Sequence, residues 1–438
     1  MVNLRAVAVI GKWLHHHDAV IPSQRECVVA APFTNAFPSV IVAAQHFPPE
    51  VFGNPMKLAI LKERHPGETR VAASPDMVKK LVGMGLEVTV ETGAGVASGV
   101  SDAAFSDAGA SIAADPGQTL SDAAVVMKVR RPVVEGEGET DELALIPDGA
   151  LLIGLINPLG DPGQFQAYAA KRLTVLAMEL IPRISRAQSM DALSSQANLA
   201  GYKSVLDACI YYKRAMPLMM TAAGTLAPAK VLVLGAGVAG LQAIATARRL
   251  GAVVTASDVR PAVKEQVESL GATFLEVEGT ADAETAGGYA KEMDDDFKRR
   301  QAQAVHDALK KTDICITTAQ IPGRPSPRLI TAAMVEDMKP GSVIVDLAAE
   351  GGGNCELTQV DQVVVAEGVT IVGFANVAAR MATDASSLYA RNLLNLVQPF
   401  VDKESGNLAL DFDDEVIAGA CAMRAGELVH PMLTNKEG

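Results

Sequence analysis

Gly235-Ala236-Gly237-Val238-Ala239-Gly240 follows the apolar run 231–234, and Asp258 stands eighteen residues beyond the last of these glycines. An apolar strand, a glycine turn and a small-residue helix start make a dinucleotide-binding fingerprint. Gly235 permits the tight turn. Gly237 lets backbone approach a pyrophosphate seated on the helix N-terminus, and Gly240 lets helix and sheet pack closely. The run 252–257 reads as the next strand, and Asp258 at its end can accept both hydroxyls of an adenosine ribose. That carboxylate repels a 2'-phosphate, so the pattern favours NAD(H) over NADP(H). Val259 and Arg260 continue the same subsite.

A second polar run lies upstream: Arg183-Ile184-Ser185-Arg186-Ala187-Gln188-Ser189-Met190-Asp191-Ala192-Leu193-Ser194-Ser195, just before a long apolar helix. Ser194 or Asp191 can cap that helix. Arg183, Gln188, Asp191 and Ser194 together are more hydrogen-bonding groups than a cap needs. A crevice between two domains is where a nicotinamide is expected. There Arg183 can hold Asp191, and Gln188 can meet the nicotinamide ribose or amide. Downstream, the proline-fixed loop that begins Thr317-Thr318-Ala319-Gln320 follows a strand and is expected to line the cofactor through Thr318 and Ala319. Glu350-Gly351-Gly352-Gly353-Asn354, after a strand ending in Asp346, offers close backbone approach to the same site.

What is missing narrows the reaction. A dehydrogenase of hydroxy or amino acids moves a proton as well as a hydride, usually with histidine or lysine. Lys128 is either a carboxylate binder or a strand-end cation, and His65, His306 and His430 are isolated. No serine–histidine–acid spacing, zinc spacing or lysine-bearing phosphate loop is present. Hydride transfer between two nicotinamides needs no acid or base at the reacting carbons. It needs orientation, close approach and exclusion of water.

Two sets of strands must position these groups. From Met56, strand candidates are 57–61, 87–92, 123–129, 150–156 and 174–177, with a helix begun by Ser74-Pro75 and ended by Gly85, and another over 101–109. A helix over 194–213, with Gly201 inside it, and a second helix near Met219 lead into strands 231–234, 252–257, 273–276, 314–317, 343–346 and 369–372. A helix over 377–397 is expected to return to the first domain, followed by a loop at 403–410 and a final helix over 413–424. The fold class is α/β: two Rossmann-like parallel-sheet domains with an interdomain cleft, the first domain discontinuous. The boundaries are 56–185 with 377–435 for the first domain, and 186–376 for the linker helix and nucleotide-binding domain. Within the latter, 279–300 reads as a mobile loop feeding a solvated helix, and Tyr289 is either an aromatic tether or part of a lid over nucleotide.

The chain has 438 residues and 49% hydrophobic content, enough for two or three domains with cores. A formal charge of -13 without a basic stripe argues against a nucleic-acid partner. No apolar run approaches a membrane span, so a membrane role must come through a partner. Five widely spaced cysteines form no CxxC pair and fit a reducing cytosol. Residues 1–55 hold four of the seven histidines, including His15-His16-His17 and His46, but no carboxylate set surrounds them and no metal is expected. They read as a disordered leader or a start placed too far upstream.

The stretch Lys62-Glu63-Arg64-His65-Pro66-Gly67-Glu68-Thr69-Arg70-Val71, the runs 183–201 and 231–260, Ala286-Gly287-Gly288-Tyr289-Ala290-Lys291-Glu292-Met293 and 316–325 resemble one family. It is that of the alpha subunit, or NAD(H)-binding domain I component, of proton-translocating NAD(P) transhydrogenase. The resemblance runs from Met56 to the neighbourhood of Asp402. It implies that Arg183, Gln188, Asp191 and Ser194 surround the nicotinamide end of NAD(H), that Asp258 holds the adenosine ribose, and that Tyr289 closes over bound nucleotide. It also implies a homodimer docked on membrane subunits at the cytoplasmic face of the inner membrane. NADP(H) is then bound by a separate beta subunit, and hydride passes between NADPH and NAD+ coupled to proton flow. Ending at Gly438 without transmembrane helices, the chain looks like the split-gene arrangement. The alternative is a soluble amino-acid dehydrogenase of the alanine dehydrogenase type, similar in fold, which uses a lysine and a histidine for pyruvate. Lys128 matches that lysine, but Asn157-Pro158-Leu159-Gly160 stands near where the histidine is expected.

Overall fold

The computed structural model describes residues 56–277, 295–402 and 405–434. The His15–His17 run, His46, Cys27 and Tyr289 lie outside the described residues.

The first sheet grows from β1 (Lys57–Ile60), α1 (Pro75–Gly83), β2 (Glu87–Glu91), α2 (Asp102–Asp107), β3 (Ser111–Ala113), α3 (Pro116–Leu120), β4 (Val125–Arg130), α4 (Glu142–Leu145), β5 (Leu151–Leu155), α5 (Phe165–Ala170) and β6 (Thr174–Ala177). Its strands β3-β2-β1-β4-β5-β6 are all parallel. The inner strands β1, β4, β5 and β6 are short apolar runs buried on both faces, as a sheet covered by crossover helices requires. The helix starts are set locally: the Ser74 hydroxyl accepts from Met77 N, and Pro75 occupies the first turn of α1.

The second sheet follows the 20-residue linker helix α6 (Ala192–Tyr211). In order come β7 (Met219–Thr221), β8 (Gly224–Leu226), β9 (Lys230–Leu234), α7 (Val238–Arg249), β10 (Val253–Ser257), α8 (Lys264–Ser269), β11 (Thr273–Phe274), α9 (Asp295–Leu309), β12 (Ile314–Thr317), α10 (Ala332–Glu336), β13 (Val343–Asp346), β14 (Val363–Ala366) and β15 (Val369–Val372). The seven strands run β11-β10-β9-β12-β13-β15-β14, parallel except for edge strand β14. The order reverses between β9 and β12, so the crevice for a nucleotide opens at their carboxyl ends.

The chain then returns to the first sheet through α11 (Ala382–Val397), α12 (Glu415–Ala420), β16 (Cys421–Arg424), β17 (Glu427–Leu428) and α13 (Pro431–Thr434). Helix α11 buries Tyr389, Leu393 and Leu396 in the first core, and β16 pairs antiparallel with β6. The architecture is therefore α/β, with two Rossmann-like parallel-sheet domains, the first discontinuous.

Two local expectations fail. The segment near Met219 is not a helix but the β7–β8 hairpin, all six strand residues exposed. Pro217 and Pro228 flank it, and Gly224 takes a positive φ at its turn. The helix expected over 413–424 stops at Ala420, and 421–424 becomes a strand. A short apolar run suits either period, and the open edge of β6 decides between them. Of the insert 279–300, the residues from 295 onward are helical, as the start of α9.

Linker helix and nucleotide domain meet at glycines. A Cβ at Gly201 in α6 would stand 2.1 Å from the Ala239 carbonyl oxygen in α7. A Cβ at Gly240 would stand 1.8 Å from the Gly235 carbonyl oxygen, so Gly240 guards the glycine turn itself more than the helix–sheet packing.

Candidate functional site

The glycine turn is built as its sequence implies. Gly235 has φ +100, and a Cβ there would lie 2.4 Å from the Thr318 hydroxyl, which donates to Gly235 O at 3.1 Å. Gly237 precedes the first turn of α7, followed by Val238 and Ala239. Among the described residues, a Cβ at Gly237 would meet only Arg260 Nη2, 3.9 Å away, so there is open space beside the N-terminus of α7. Ala236 N donates to Asp258 Oδ2 at 2.7 Å, tying the turn to the end of β10.

Asp258 is further engaged. Its Oδ1 accepts from Arg260 N and Nε, both at 2.9 Å, and its Oδ2 accepts from Arg260 Nη2 at 2.9 Å. The carboxylate thus carries a charge-assisted, two-pronged contact with Arg260 at the end of β10. The partner lies two residues along the chain, in the stretch the sequence assigns to the same subsite.

The polar run before α6 is pinned from behind. Ala187 and Met190 sink into the first core. Asn392 and Asn395 donate to Ser189 O at 2.9 and 3.0 Å, and Arg186 pairs with Asp414 at 2.8 Å. Arg183 and Gln188 are exposed on this fixed loop. Asp191 caps α6, accepting from Ser194 N at 2.8 Å, while the Ser194 hydroxyl donates to Asp191 Oδ2 at 2.5 Å. The structure therefore brings Asp191 and Ser194 into direct contact, in a geometry that also serves the helix.

The opposite wall is the loop after β12. Thr318 reaches the glycine turn, and Ala319 is held on both sides by the Asn354 amide. The two walls of the cleft approach each other among the described residues. Arg130 at the end of β4 pairs with Glu350 at 2.9 Å, and Leu159 Cβ lies 3.0 Å from where a Cβ on Gly323 would sit.

Sequence reasoning missed a buried hub at the root of the cleft. Arg70 donates to Glu68 Oε2 at 2.6 Å, to Gln196 Oε1 at 2.8 Å and to Asn376 Oδ1 at 3.1 Å. Asn376, at φ +45, starts the return from β15 to α11, and Gln196 belongs to α6. Both chain crossings between the domains are thus fastened to one guanidinium.

Lys128 is not a substrate ligand in this arrangement. It is 0% exposed, and its Nζ lies 2.9 Å from Glu142 and 3.4 Å from Glu63. Burial pushes the Glu63 carboxyl up to about 6 despite Lys128. Burial likewise pushes Glu179 up to about 7, although it accepts from Ile156 N and Asn157 N. His65 bonds to the Arg131 carbonyl, His306 to Asp337, and His430 lies near the C-terminal end of the described chain. Among the described residues, no group of His, Cys, Asp and Glu is arranged to hold a metal ion, and no helix is long and apolar enough to cross a membrane.

Comparison with known proteins agrees with this architecture. Residues 59–200 match the family "Alanine dehydrogenase/PNT, N-terminal domain", and residues 204–431 match "Alanine dehydrogenase/PNT, C-terminal domain". The chain is 58% identical over 383 residues to the first of the polypeptides that make up the NAD(P) transhydrogenase alpha subunit of Rhodospirillum rubrum, covering 87% of this chain and 100% of the relative. It is 31% identical over 304 residues to an alanine dehydrogenase of Bacillus subtilis, covering 69% of this chain and 72% of that enzyme. Among solved structures, a transhydrogenase from Sinorhizobium meliloti superposes with a TM-score of 0.76 at 48% identity, covering 85% of this chain and all of that one.

Proposed function

The chain belongs to the alanine dehydrogenase/PNT family, and on that premise we propose that it is the NAD(H)-binding component of a proton-translocating NAD(P) transhydrogenase. The reaction is NADPH + NAD+ = NADP+ + NADH, with the hydride passing between two nicotinamide rings. The observation that carries the choice within the family is the state of Lys128. It is sealed between Glu63 and Glu142, and Asn157 stands near where a histidine is needed, so the described residues of the cleft offer no lysine–histidine pair of the amino-acid dehydrogenase kind.

In this reading each wall has one task. Gly235, Ala236, Gly237, Val238, Ala239 and Gly240 cradle the pyrophosphate, and Asp258, Val259 and Arg260 hold the adenosine ribose. Thr318 and Ala319 line the cofactor. Arg183, Gln188, Asp191 and Ser194 orient the nicotinamide, with Gln188 exposed to meet it, and Tyr289 closes over the nucleotide. Orientation and close approach then supply most of the acceleration.

The partners follow from the same reading: an NADP(H)-binding beta subunit and membrane subunits that couple the exchange to proton flow. The chain sits peripherally on the cytoplasmic face of the inner membrane and forms a homodimer. The β7–β8 hairpin supports the dimer, since Leu218, Met219, Met220 and Leu226 are all exposed on it and ask for an apolar cover.

The test is hydride exchange from NADPH to an NAD+ analogue after mixing the chain with the NADP(H)-binding component. Gln188→Asn is expected to slow that exchange about tenfold while weakening NADH binding less than about threefold, as a group acting on the aligned complex should. Equal losses in rate and binding would reduce Gln188 to an anchor.

A further inference from the structure

We infer that Asn354, held in place by the buried carboxylate of Asp346, is the positioning residue that sets the cofactor-lining loop 318–327 against the glycine turn. The inference rests on the nucleotide-binding reading given above and concerns residues outside the fingerprint and the polar run.

The Asn354 side chain treats Ala319 as a neighbouring strand would. Its Oδ1 accepts from Ala319 N at 3.0 Å, and its Nδ2 donates to Ala319 O at 2.9 Å. Its Nδ2 also donates to Pro327 O at 2.8 Å, so one side chain fastens both ends of the loop. The loop needs such a clamp. Pro322, Pro325 and Pro327 have no N–H to donate, so it cannot build a ladder of its own.

Asn354 is itself wholly buried and fixed from below. Asp346, also wholly buried, accepts through Oδ2 from Asn354 N at 2.8 Å, Cys355 N at 3.0 Å and the Thr358 hydroxyl at 2.7 Å. Its Oδ1 accepts from the Thr317 hydroxyl at 2.9 Å and Ala348 N at 3.0 Å. Gly353, at φ +84, allows the chain to bend this closely, since a Cβ there would lie 2.8 Å from Asp346 Oδ2. On the other side, Ala319 follows Thr318, whose hydroxyl donates to Gly235 O. A continuous path therefore runs from the end of β13 through Asn354 and Ala319 to the glycine turn. The N–H and C=O of Ala319 are thus both satisfied by protein.

The experiment compares wild type, Asn354→Ala and Asn354→Asp as full chains, by NADH fluorescence titration and by exchange with the NADP(H)-binding component. Asn354→Asp keeps the size and one acceptor but sets a carboxylate oxygen against two carbonyls. At a temperature where near-ultraviolet circular dichroism shows the variants folded, both should raise the KM for NAD+ and the NADH Kd about tenfold, with kcat changed less than about threefold. A purely structural role would lower Tm and leave the KM of the folded variant alone. If Asn354→Ala does not fold, Thr358→Val loosens Asp346 more gently and should move KM the same way, about threefold. Folded variants with unchanged KM and Kd overturn the inference. A wild-type chain that binds no NADH overturns the functional reading instead.

Discussion

Asp258→Asn is expected to weaken NADH binding about 30-fold and to narrow the preference for NADH over NADPH, because it removes a charge that serves two contacts. The first, on the proposed reading, is with the ribose, whose hydroxyls would donate to the carboxylate in place of guanidinium N–H groups. The second is with Arg260, which holds Asp258 through its backbone N and two guanidinium nitrogens. An amide cannot neutralise that guanidinium. Arg260 would then lose the balancing charge of Asp258 beside the ribose, which makes the subsite more tolerant of a 2'-phosphate. Adding Arg260→Ala to Asp258→Asn should therefore remove the gain for NADPH while leaving NADH weak. Fluorescence titration with both nucleotides checks this, and unchanged affinities for both would defeat the assignment of Asp258.

Lys128→Met should destabilise the protein by about 3–5 kcal/mol near neutral pH, since it leaves a buried carboxylate without its cation. Glu142 keeps Arg64 at 2.8 Å, but Glu63 is left with the N–H groups of Val129 and Arg130. The cost depends on pH in a defined direction. The Glu63 carboxyl is already raised from 4.5 to about 6, and Lys128 is among the groups that hold it down. Without Lys128 it rises further, so at pH 5 the group takes a proton and the unpaired charge disappears. The loss should be smaller at pH 5 than at pH 8. The wild type carries a weaker form of the same slope. A carboxyl whose folded value lies above its unfolded value gives stability that is full below pH 4.5 and lost as pH rises through 6, about 2 kcal/mol for Glu63. Glu179, at about 7, extends that window upward. Urea unfolding of both proteins at pH 5 and pH 8 reads these differences. A variant as stable as wild type at both values would show that Lys128 does not hold this core together.

The features legible in the sequence were those encoded within a few residues. Ser74-Pro75 starts α1, Gly235 with φ +100 makes the turn, and short apolar runs mark most strands of both sheets. The features that were not legible depend on partners far along the chain. Lys128 read as a possible ligand because Glu142 lies fourteen residues on and Glu63 comes from another segment, and only the fold brings them around it. The run 421–424 has no strand signature of its own and becomes one because β6 lacks a neighbour. Arg70 joins Gln196 and Asn376, which are 126 and 306 residues away. Asn354 did carry a local signal, an amide directly after three glycines in a loop that begins at Asp346. That signal pointed to close backbone approach but not to what the amide would hold.

Direct passage of hydride between two nicotinamides is tested most plainly with NADPH deuterated at the transferring position of C4, in ordinary water. The chain is mixed with the NADP(H)-binding component and NAD+, and the NADH formed is analysed for label. Labelled NADH is expected without any small acceptor, together with no NADH oxidation by the chain alone when pyruvate and ammonia are supplied. Unlabelled NADH, or label that appears only once pyruvate is added, would contradict direct transfer.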